Sequence, residues 1–514
     1  MGFMEALKNE ALESCNESVT ENGAIGYRTT GKYLLDINFA VASLRAASVE
    51  DVVNRFKAAF LEDKVLALKW LFFARDIRGG LGERRLFRLA MEFVAGYEPE
   101  MVLKLIRLVP EYGRFDDLWC LLDDEKMQPD VIAFIKEQLD EDMKNYQEKK
   151  SISLLAKWLP STNASSADSK KYSRIIRRAL DMKESEYRKM LSALRSYIDV
   201  VEVKMSAKKW GDINYEAVPS RANLIYNGAF LRNDEERRRE FLSQLERGEV
   251  KINASTLYPH DIVHKYTGGR CRVGSYDTAL EALWKELPDV VDGCGNTIVV
   301  ADGSGSMTVG VGNTGVTALD VANALAIYFA ERSSGQFKDK YITFSEKPQF
   351  VEFGHAKSLR DKLQIAFNHN EVANTNIKAV FELILRTAIN NKMSQEDLPA
   401  NILIISDMEF DSCATTSNER YSHQRPNEKL FGVIAKEYAD AGYKLPRMVF
   451  WNVNSRTGTI PVRENELGVA LVSGFSVNVC KMVMSGKLDP YECMLEVINS
   501  ERYQPIEDAL TSEE

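Results

Sequence analysis

Asp302, Ser304 and Ser306 stand in the run Val300-Ala301-Asp302-Gly303-Ser304-Gly305-Ser306-Met307. One carboxylate and two hydroxyls at alternate positions, with glycines between them, let a loop curl until three oxygens converge. Such a set suits a hard divalent cation, Mg²⁺ or a similar ion, that keeps some of its water. A second apolar run, Ile402–Ile405, ends in Ser406-Asp407 and offers a further carboxylate. Thr375, in Ala373-Asn374-Thr375-Asn376, opens a helical stretch and supplies a third hydroxyl. The plain alternative is a Gly/Ser-rich turn in which Asp302 caps the next helix. The apolar run before the loop favours the ion, because ligands of open α/β sheets bind at the carboxyl ends of strands.

A second chemistry is suggested by charge. Residues 149–210 hold 15 Lys or Arg against 6 Asp or Glu, an excess of nine positive charges in a chain of net charge −9, so the remainder carries −18. Lys170, Lys171, Arg174, Arg177, Arg178, Lys208 and Lys209 cluster among Trp158, Tyr172, Tyr187, Tyr197 and Trp210. Cations meet phosphates while aromatic rings stack on bases, so Tyr172 and Trp210 together with the seven cations form a candidate nucleic-acid-binding set. The bland reading is a solvated helix face paired with acidic residues elsewhere.

Other signals point to structure. Gly310-Val311-Gly312-Asn313-Thr314-Gly315 spells G-x-G-x-x-G but follows the ion loop instead of a strand, so a flexible connection is the better reading. His260 and His264 are four apart, but no third ligand accompanies them. The mixed charges of Arg75-Asp76-Ile77-Arg78-Gly79-Gly80 and Glu83-Arg84-Arg85 read as a helix corner with internal ion pairs in preference to a phosphate turn. The seven cysteines are odd in number and none is spaced C-x-x-C, which excludes a zinc ribbon or a disulfide scaffold and suits a reduced, cytoplasmic protein.

The elements that must position these residues have two textures. From about 48 to 290 apolar residues recur at helical spacing, as in Val52, Val53, Phe56 and Phe60. Helices are expected at Arg84–Val94, Met101–Leu108, Val131–Tyr146, Ser173–Leu180, Glu184–Tyr197, Asp234–Glu246 and Tyr276–Leu287. Short helices on short loops describe a helical-repeat solenoid or an irregular bundle. From about 295, short apolar strands at Ile298–Val300, Tyr341–Phe344, Phe350–Phe353, Ile402–Ile405, Met448–Val453 and Val469–Val472 alternate with helices. That alternation implies a largely parallel sheet covered on both faces. The fold class is therefore multidomain, an all-α region followed by an α/β doubly wound, Rossmann-like domain, with the boundary near Pro288–Gly295.

Asp302-x-Ser304-x-Ser306, Thr375 and Asp407 resemble, residue by residue, the metal-ion-dependent adhesion site (MIDAS) of von Willebrand factor A domains. The resemblance covers about 295–485. It implies one Mg²⁺ whose shell is completed by an acidic group of a partner. The helical part, with Leu71-Phe72-Phe73-Ala74-Arg75-Asp76 and Val109-Pro110-Glu111-Tyr112-Gly113-Arg114-Phe115-Asp116-Asp117, resembles an uncharacterised family that places a TROVE-like helical region before such a domain. Ser406-Asp407-Met408-Glu409-Phe410 and Glu501-Arg502-Tyr503-Gln504-Pro505-Ile506 fit the same family. TROVE proteins, the Ro autoantigens, form a ring of helical repeats and bind small RNAs; here the likeness is one of architecture. Four parts follow: an N-terminal extension, 1–47; the helical-repeat region, 48–290; the A domain, 291–490; and an acidic C-terminal segment, 491–514.

With 45% hydrophobic and 27% charged residues, 514 residues can bury two or three cores, which excludes a mainly disordered chain. Net acidity excludes a uniformly basic coat, so nucleic acid must be met locally. No apolar run reaches the ~20 residues of a membrane helix. The first residues lack the pattern of a secretory signal, and Ala6 stands where a myristoylation site needs Ser or Thr. The reading that results is a non-enzymatic protein that binds small or single-stranded RNA through its basic helices and Mg²⁺ through its A domain. Its rival is a metal-dependent protein–protein scaffold without RNA. A metal-dependent hydrolase is the weakest reading, because two carboxylates are fewer than a two-metal nuclease assembles.

Overall fold

Asp63 begins the helical core. Its side chain accepts from Leu66 N at 2.9 Å and caps helix Lys64–Arg75. That helix buries Leu68, Trp70, Leu71, Phe72 and Phe73, and it packs on Val49–Glu62 and Arg84–Tyr97, whose buried stripes are Val52, Phe56, Ala59, Phe60 and Leu86, Phe87, Ala90, Met91, Val94. The computed structural model describes residues 4, 7, 11, 15–270, 272–291, 296–312, 314–344, 346–371, 375–411, 430–462, 468–483 and 489–512. Among them no helix is long and apolar enough to cross a membrane.

The described chain forms two compact units, one of residues 49–256 with 498–514 and one of residues 1–48 with 257–497. In the helical unit the mixed-charge run turns between two helices, and the ion pairs described for Arg75, Asp76 and Arg84 are made with residues outside the run instead of within it. Buried Arg75 holds buried Asp117 at 2.7 Å, and Arg88 Nε reaches the same carboxylate at 2.8 Å. A Cβ at Gly80 would lie 1.9 Å from the Phe73 carbonyl oxygen, so only glycine fits there. Asp76 receives Arg502 in a two-pronged pair and the Tyr503 hydroxyl at 3.1 Å. Burial would raise its pKa, but the Arg502 bonds and charge prevail and hold it below the usual carboxylate value. Lys69, also buried, is neutralised by Glu507 at 2.7 Å and bonded to Asn499 at 2.8 Å. Residues 498–512, read from the sequence as part of an acidic tail, thus supply core partners of the helical unit.

The second unit is built on a six-stranded sheet. Its strands are β3 (Thr297–Asp302), β4 (Lys340–Phe344), β5 (Gln349–Glu352), β6 (Asn401–Ser406), β7 (Arg447–Asn452) and β8 (Val469–Ser473), in the order β5-β4-β3-β6-β7-β8. All pairs are parallel except β4–β5. Each strand lies within a residue or two of its expected position, because strands covered on both faces read as unbroken apolar runs. In the register, Val300 lies opposite Ile342 on one side and Ile404 on the other. Helix Ala318–Arg332 is buried almost all round, and its alanines allow close approach to β3 and β6.

Two segments join this unit that sequence texture assigned elsewhere. Helices Pro259–Thr267 and Thr278–Lys285 belong here; the former packs on Ala318–Arg332, with Thr267 Oγ1 donating to Asp320 at 2.7 Å and His264 Nδ1 3.1 Å from the same carboxylate. From the N-terminal side, helix Tyr33–Leu44 covers β7 and β8, with Asn452 Nδ2 donating to the Phe39 carbonyl at 2.8 Å. Ahead of it runs a hairpin of β1 (Glu17–Val19) and β2 (Ile25–Tyr27). The expected boundary at Pro288–Gly295 lies partly outside the described residues.

Candidate metal centre

The sheet order reverses direction of winding at β3 and β6, which are neighbours, and a crevice at such a switch point is where α/β sheets hold ligands. β3 ends in Asp302 and β6 runs into Asp407, both buried. Asp302 Oδ1 accepts from Ser304 N at 2.9 Å, and Oδ2 accepts from the Ser406 hydroxyl at 2.6 Å. Ser304 and Ser306 hydroxyls lie 3.0 Å apart, and that of Ser306 bonds the Asp407 carboxylate. The loop turns back because Gly303 N donates to the Phe344 carbonyl at 2.9 Å, and a Cβ on Gly303 would stand 2.9 Å from Thr343 Oγ1. After β6 the backbone of Met408 is left-handed, with φ 63°, and its N–H donates to Ser406 Oγ at 3.0 Å.

Four of the five expected ligands are therefore joined in one hydrogen-bonded group. Thr375, also buried, is linked to it only indirectly among the described residues. Its Oγ1 accepts from Asn22 Nδ2 at 3.3 Å, and the same amide donates to the Glu409 carbonyl at 2.7 Å. Its own carbonyl is taken by Asp411 N and Ile377 N. Ala373 and Asn374, which precede it in the motif, lie outside the described residues.

Burial, and then the facing Asp407 charge, push Asp302 up to about 7, against the pull of its bonds to Ser406 and Ser304. Asp407 is raised too, by burial, against the bond from Ser306 and the charge of Arg456. Two carboxylates and three hydroxyls, all oxygen, are the donors a Mg²⁺-like ion takes. Among the described residues no cluster of three or more His, Cys, Asp or Glu is placed to hold a metal. This group differs in resting on two carboxylates with hydroxyls to complete them.

Sequence reasoning missed the wall of the site. Glu409 is fully buried and accepts from Glu21 N, Arg456 N and Thr457 N at 2.8–2.9 Å, besides the Ser455 and Thr457 hydroxyls. Arg456 reaches Glu21 at 2.7 Å and Asp407 at 3.4 Å. Thr20 Oγ1 donates to the Phe410 carbonyl at 2.6 Å. The hairpin around residues 17–27 thus docks beside the ion group. The acidic Asp407-Met408-Glu409 triplet is the one local signal that could have flagged Glu409.

The other motifs resolve as structure. The glycine run leads into helix Ala318–Arg332, with Gly310 bridged to Thr317; Asn313 lies outside the described residues. His260 packs its ring between Tyr258 and Phe475, while His264 faces Asp320, so the two do not share a metal.

The basic residues divide between two elements. Lys170, Lys171, Arg174, Arg177 and Arg178 lie on helix Ala167–Ala179, which buries Ser173 and Ile176 on its other side. Lys170, Arg174 and Arg178 form an exposed row at spacing of four, about 6 Å apart along the axis. Lys171 pairs with Asp123 at 2.5 Å, and Arg177 donates to the Met182 carbonyl. Lys208, Lys209 and Trp210 lie around a separate turn after helix Val201–Ser206. Tyr172 is half-buried with its hydroxyl on Asp123 at 3.1 Å. Two of the aromatic residues expected among the cations are spoken for. Tyr187 is buried, donating to the Pro160 carbonyl, and Arg114 covers the Trp158 ring at 4.5 Å.

Two family models match the chain, both described as domains of unknown function: DUF7788 over residues 296–510 and DUF2828 over residues 165–299. "Uncharacterized protein L728" of Acanthamoeba polyphaga mimivirus is 28% identical over 536 residues, covering 96% of this chain and 89% of the relative. Among solved structures, the Deinococcus radiodurans Ro (RSR) protein aligns with a TM-score of 0.43 at 15% identity, over 86% of this chain and 94% of that one.

Proposed function

We propose that the chain is a non-enzymatic, two-unit RNA-binding protein whose sheet unit carries a von Willebrand factor A-type site for Mg²⁺. The convergence of Asp302, Ser304, Ser306 and Asp407 at the switch point of the sheet carries the reading for the ion. Asp302 and the two serines would hold the cation from the loop. Asp407 and Thr375 would hold it from the neighbouring side, directly or through water. The bound ion supplies an open position to an acidic group of a partner. For RNA, the support is the row of Lys170, Arg174 and Arg178 on one exposed helix face, without an ion-pair partner among the described residues and within the segment of nine excess positive charges. Phosphates meeting such a row release counterions, so binding is salt-sensitive.

Calorimetric titration of Mg²⁺ into the wild type and Asp302→Ala tests the first part; binding lost in the variant is expected, and unchanged affinity would refute the assignment. Gel-shift titration with single-stranded RNA at two salt concentrations tests the second. A scaffold reading without RNA is favoured by one feature: Glu21 sits 2.7 Å from Arg456, itself 3.4 Å from Asp407, so a carboxylate is already accommodated beside the ion group. Absence of RNA binding at low salt, with Mg²⁺ binding intact, would leave that reading.

A further inference from the structure

The helical unit contains a cavity of about 260 Å³ between Leu154 and Pro219, in and next to the basic segment. Val201, Ile213 and Val218 give it a buried apolar floor. Pockets for drug-sized ligands run to roughly 300–1,000 Å³, so this one suits a single ring system.

Its polar lining is selective. Glu202 lines the cavity, and its Oε2 is buried with no hydrogen-bond partner among the described residues. Its Oε1 receives only a long bond from Tyr226, at 3.5 Å. A buried carboxylate oxygen without a donor is costly, and a ligand N–H would satisfy it. Asn214 also lines the cavity; its Oδ1 is used by Glu216 N at 3.1 Å, so the amide has its Nδ2 donor to offer. Lys157 and Lys204 also line the cavity; Lys204 is held by Asp199 at 2.8 Å, and the Lys157 ammonium lies over the Trp158 ring at 5.6 Å.

We propose that this cavity takes one unpaired base of a single-stranded RNA, a base whose Watson–Crick edge sets an exocyclic amine beside an unprotonated ring nitrogen, as adenine and cytosine do and guanine, with its N1–H, does not. The amine would donate to Glu202 and a ring nitrogen would accept from Asn214 Nδ2. Uracil presents a carbonyl oxygen where adenine and cytosine present N–H₂, and it would face the carboxylate unfavourably. The inference rests on the RNA reading above and adds base selectivity to it.

Fluorescence anisotropy of the full chain with labelled oligo(rA), oligo(rC) and oligo(rU) of one length tests it. The expected result is a preference of about tenfold for rA and rC over rU. Glu202→Gln should erase that preference. Ala217→Trp, at an exposed position on the cavity wall, should bring rA and rC down to the rU affinity, and circular dichroism would verify that both variants are folded. Equal affinity of the wild type for all three, or a preference retained in Glu202→Gln, overturns the pocket. If the three bind equally and the Lys170, Arg174 and Arg178 charge reversal abolishes binding, the pocket falls and the RNA reading stands. No binding of any oligonucleotide at low salt overturns both.

Discussion

Replacing Asp302 by Asn should do two opposite things. Without an ion, the native carboxylate is buried opposite Asp407, and its pKa rises from 3.8 to about 7. At ~1.4 kcal/mol per pKa unit, three units amount to a penalty on the order of 4 kcal/mol, an upper bound because the two carboxylates share it. Since the folded pKa lies above the unfolded one, the penalty is absent below about pH 4. It grows as pH rises from 4 to 7 and is complete above that. Asn keeps an oxygen for Ser304 N and an amide group towards the Ser406 hydroxyl, so most of the gain should survive. The ion-free variant should therefore melt higher than the wild type at pH 8, by roughly 6 °C at ~2 °C per kcal/mol for a unit of this size. The margin should shrink steadily towards pH 4. Adding Mg²⁺ should stabilise the wild type alone, by ~2.7 kcal/mol at a hundredfold excess over its dissociation constant, and so narrow the gap. Scanning calorimetry with and without Mg²⁺ at pH 8 and pH 5 reads all four states. The reasoning fails if the ion-free variant melts no higher at pH 8, or if Mg²⁺ raises both proteins equally.

Glu409→Ala leaves the Arg456 and Thr457 N–H groups without their buried acceptor and should cost more than about 3 kcal/mol in denaturant unfolding, whereas Glu409→Gln should cost less. Arg502→Ala strips buried Asp76 of its partner and should destabilise the helical unit by about 3–5 kcal/mol. Because the Asp76 pKa is lowered on folding, the wild type should lose this contribution as pH falls below the ordinary carboxylate range, so the two proteins should converge in stability in acid; parallel curves would count against the pair. Reversing charge at Lys170, Lys171, Arg174, Arg177 and Arg178 should weaken single-stranded RNA binding and flatten its salt dependence by ~0.7 log unit per lost phosphate contact, while the Asp302 variant binds RNA as the wild type does. Equal RNA affinity in the reversed protein would remove the helix from the interface.

What could be read from the sequence was what neighbours in sequence determine. Val299, Val300, Leu403 and Ile404 are buried on both faces of a parallel sheet, so their strands announce themselves as apolar runs. Asp302, Ser304 and Ser306 lie within five residues, and their convergence needs only a local turn. Partners that meet across hundreds of residues leave no such trace. Asn22 and Thr375 are 353 positions apart, and nothing in the composition of residues 16–30 points to the sheet edge. Aromatics interleaved with cations were equally ambiguous. Tyr172 and Tyr187 look alike in the sequence, yet one keeps part of its ring exposed and the other is entirely inside. Glu202 gave no signal, because an orphaned carboxylate oxygen is a property of its surroundings and not of its neighbours in the chain.

Neither unit is a continuous stretch of polypeptide; the chain passes from one to the other after residues 48, 256 and 497. During vectorial synthesis the helices of 49–256 therefore leave the ribosome long before Arg502, Tyr503 and Glu507 exist. Until then Lys69 and Asp76 have charges destined for burial and no counterions to bury with them. The last helix, Gln504–Thr511, acts as a clasp that closes the first-made unit only after the sheet has been translated. A chain stalled anywhere in between would expose that unfinished core to chaperones and proteases, so completion of the helical unit reports that the ion-site unit has already been made.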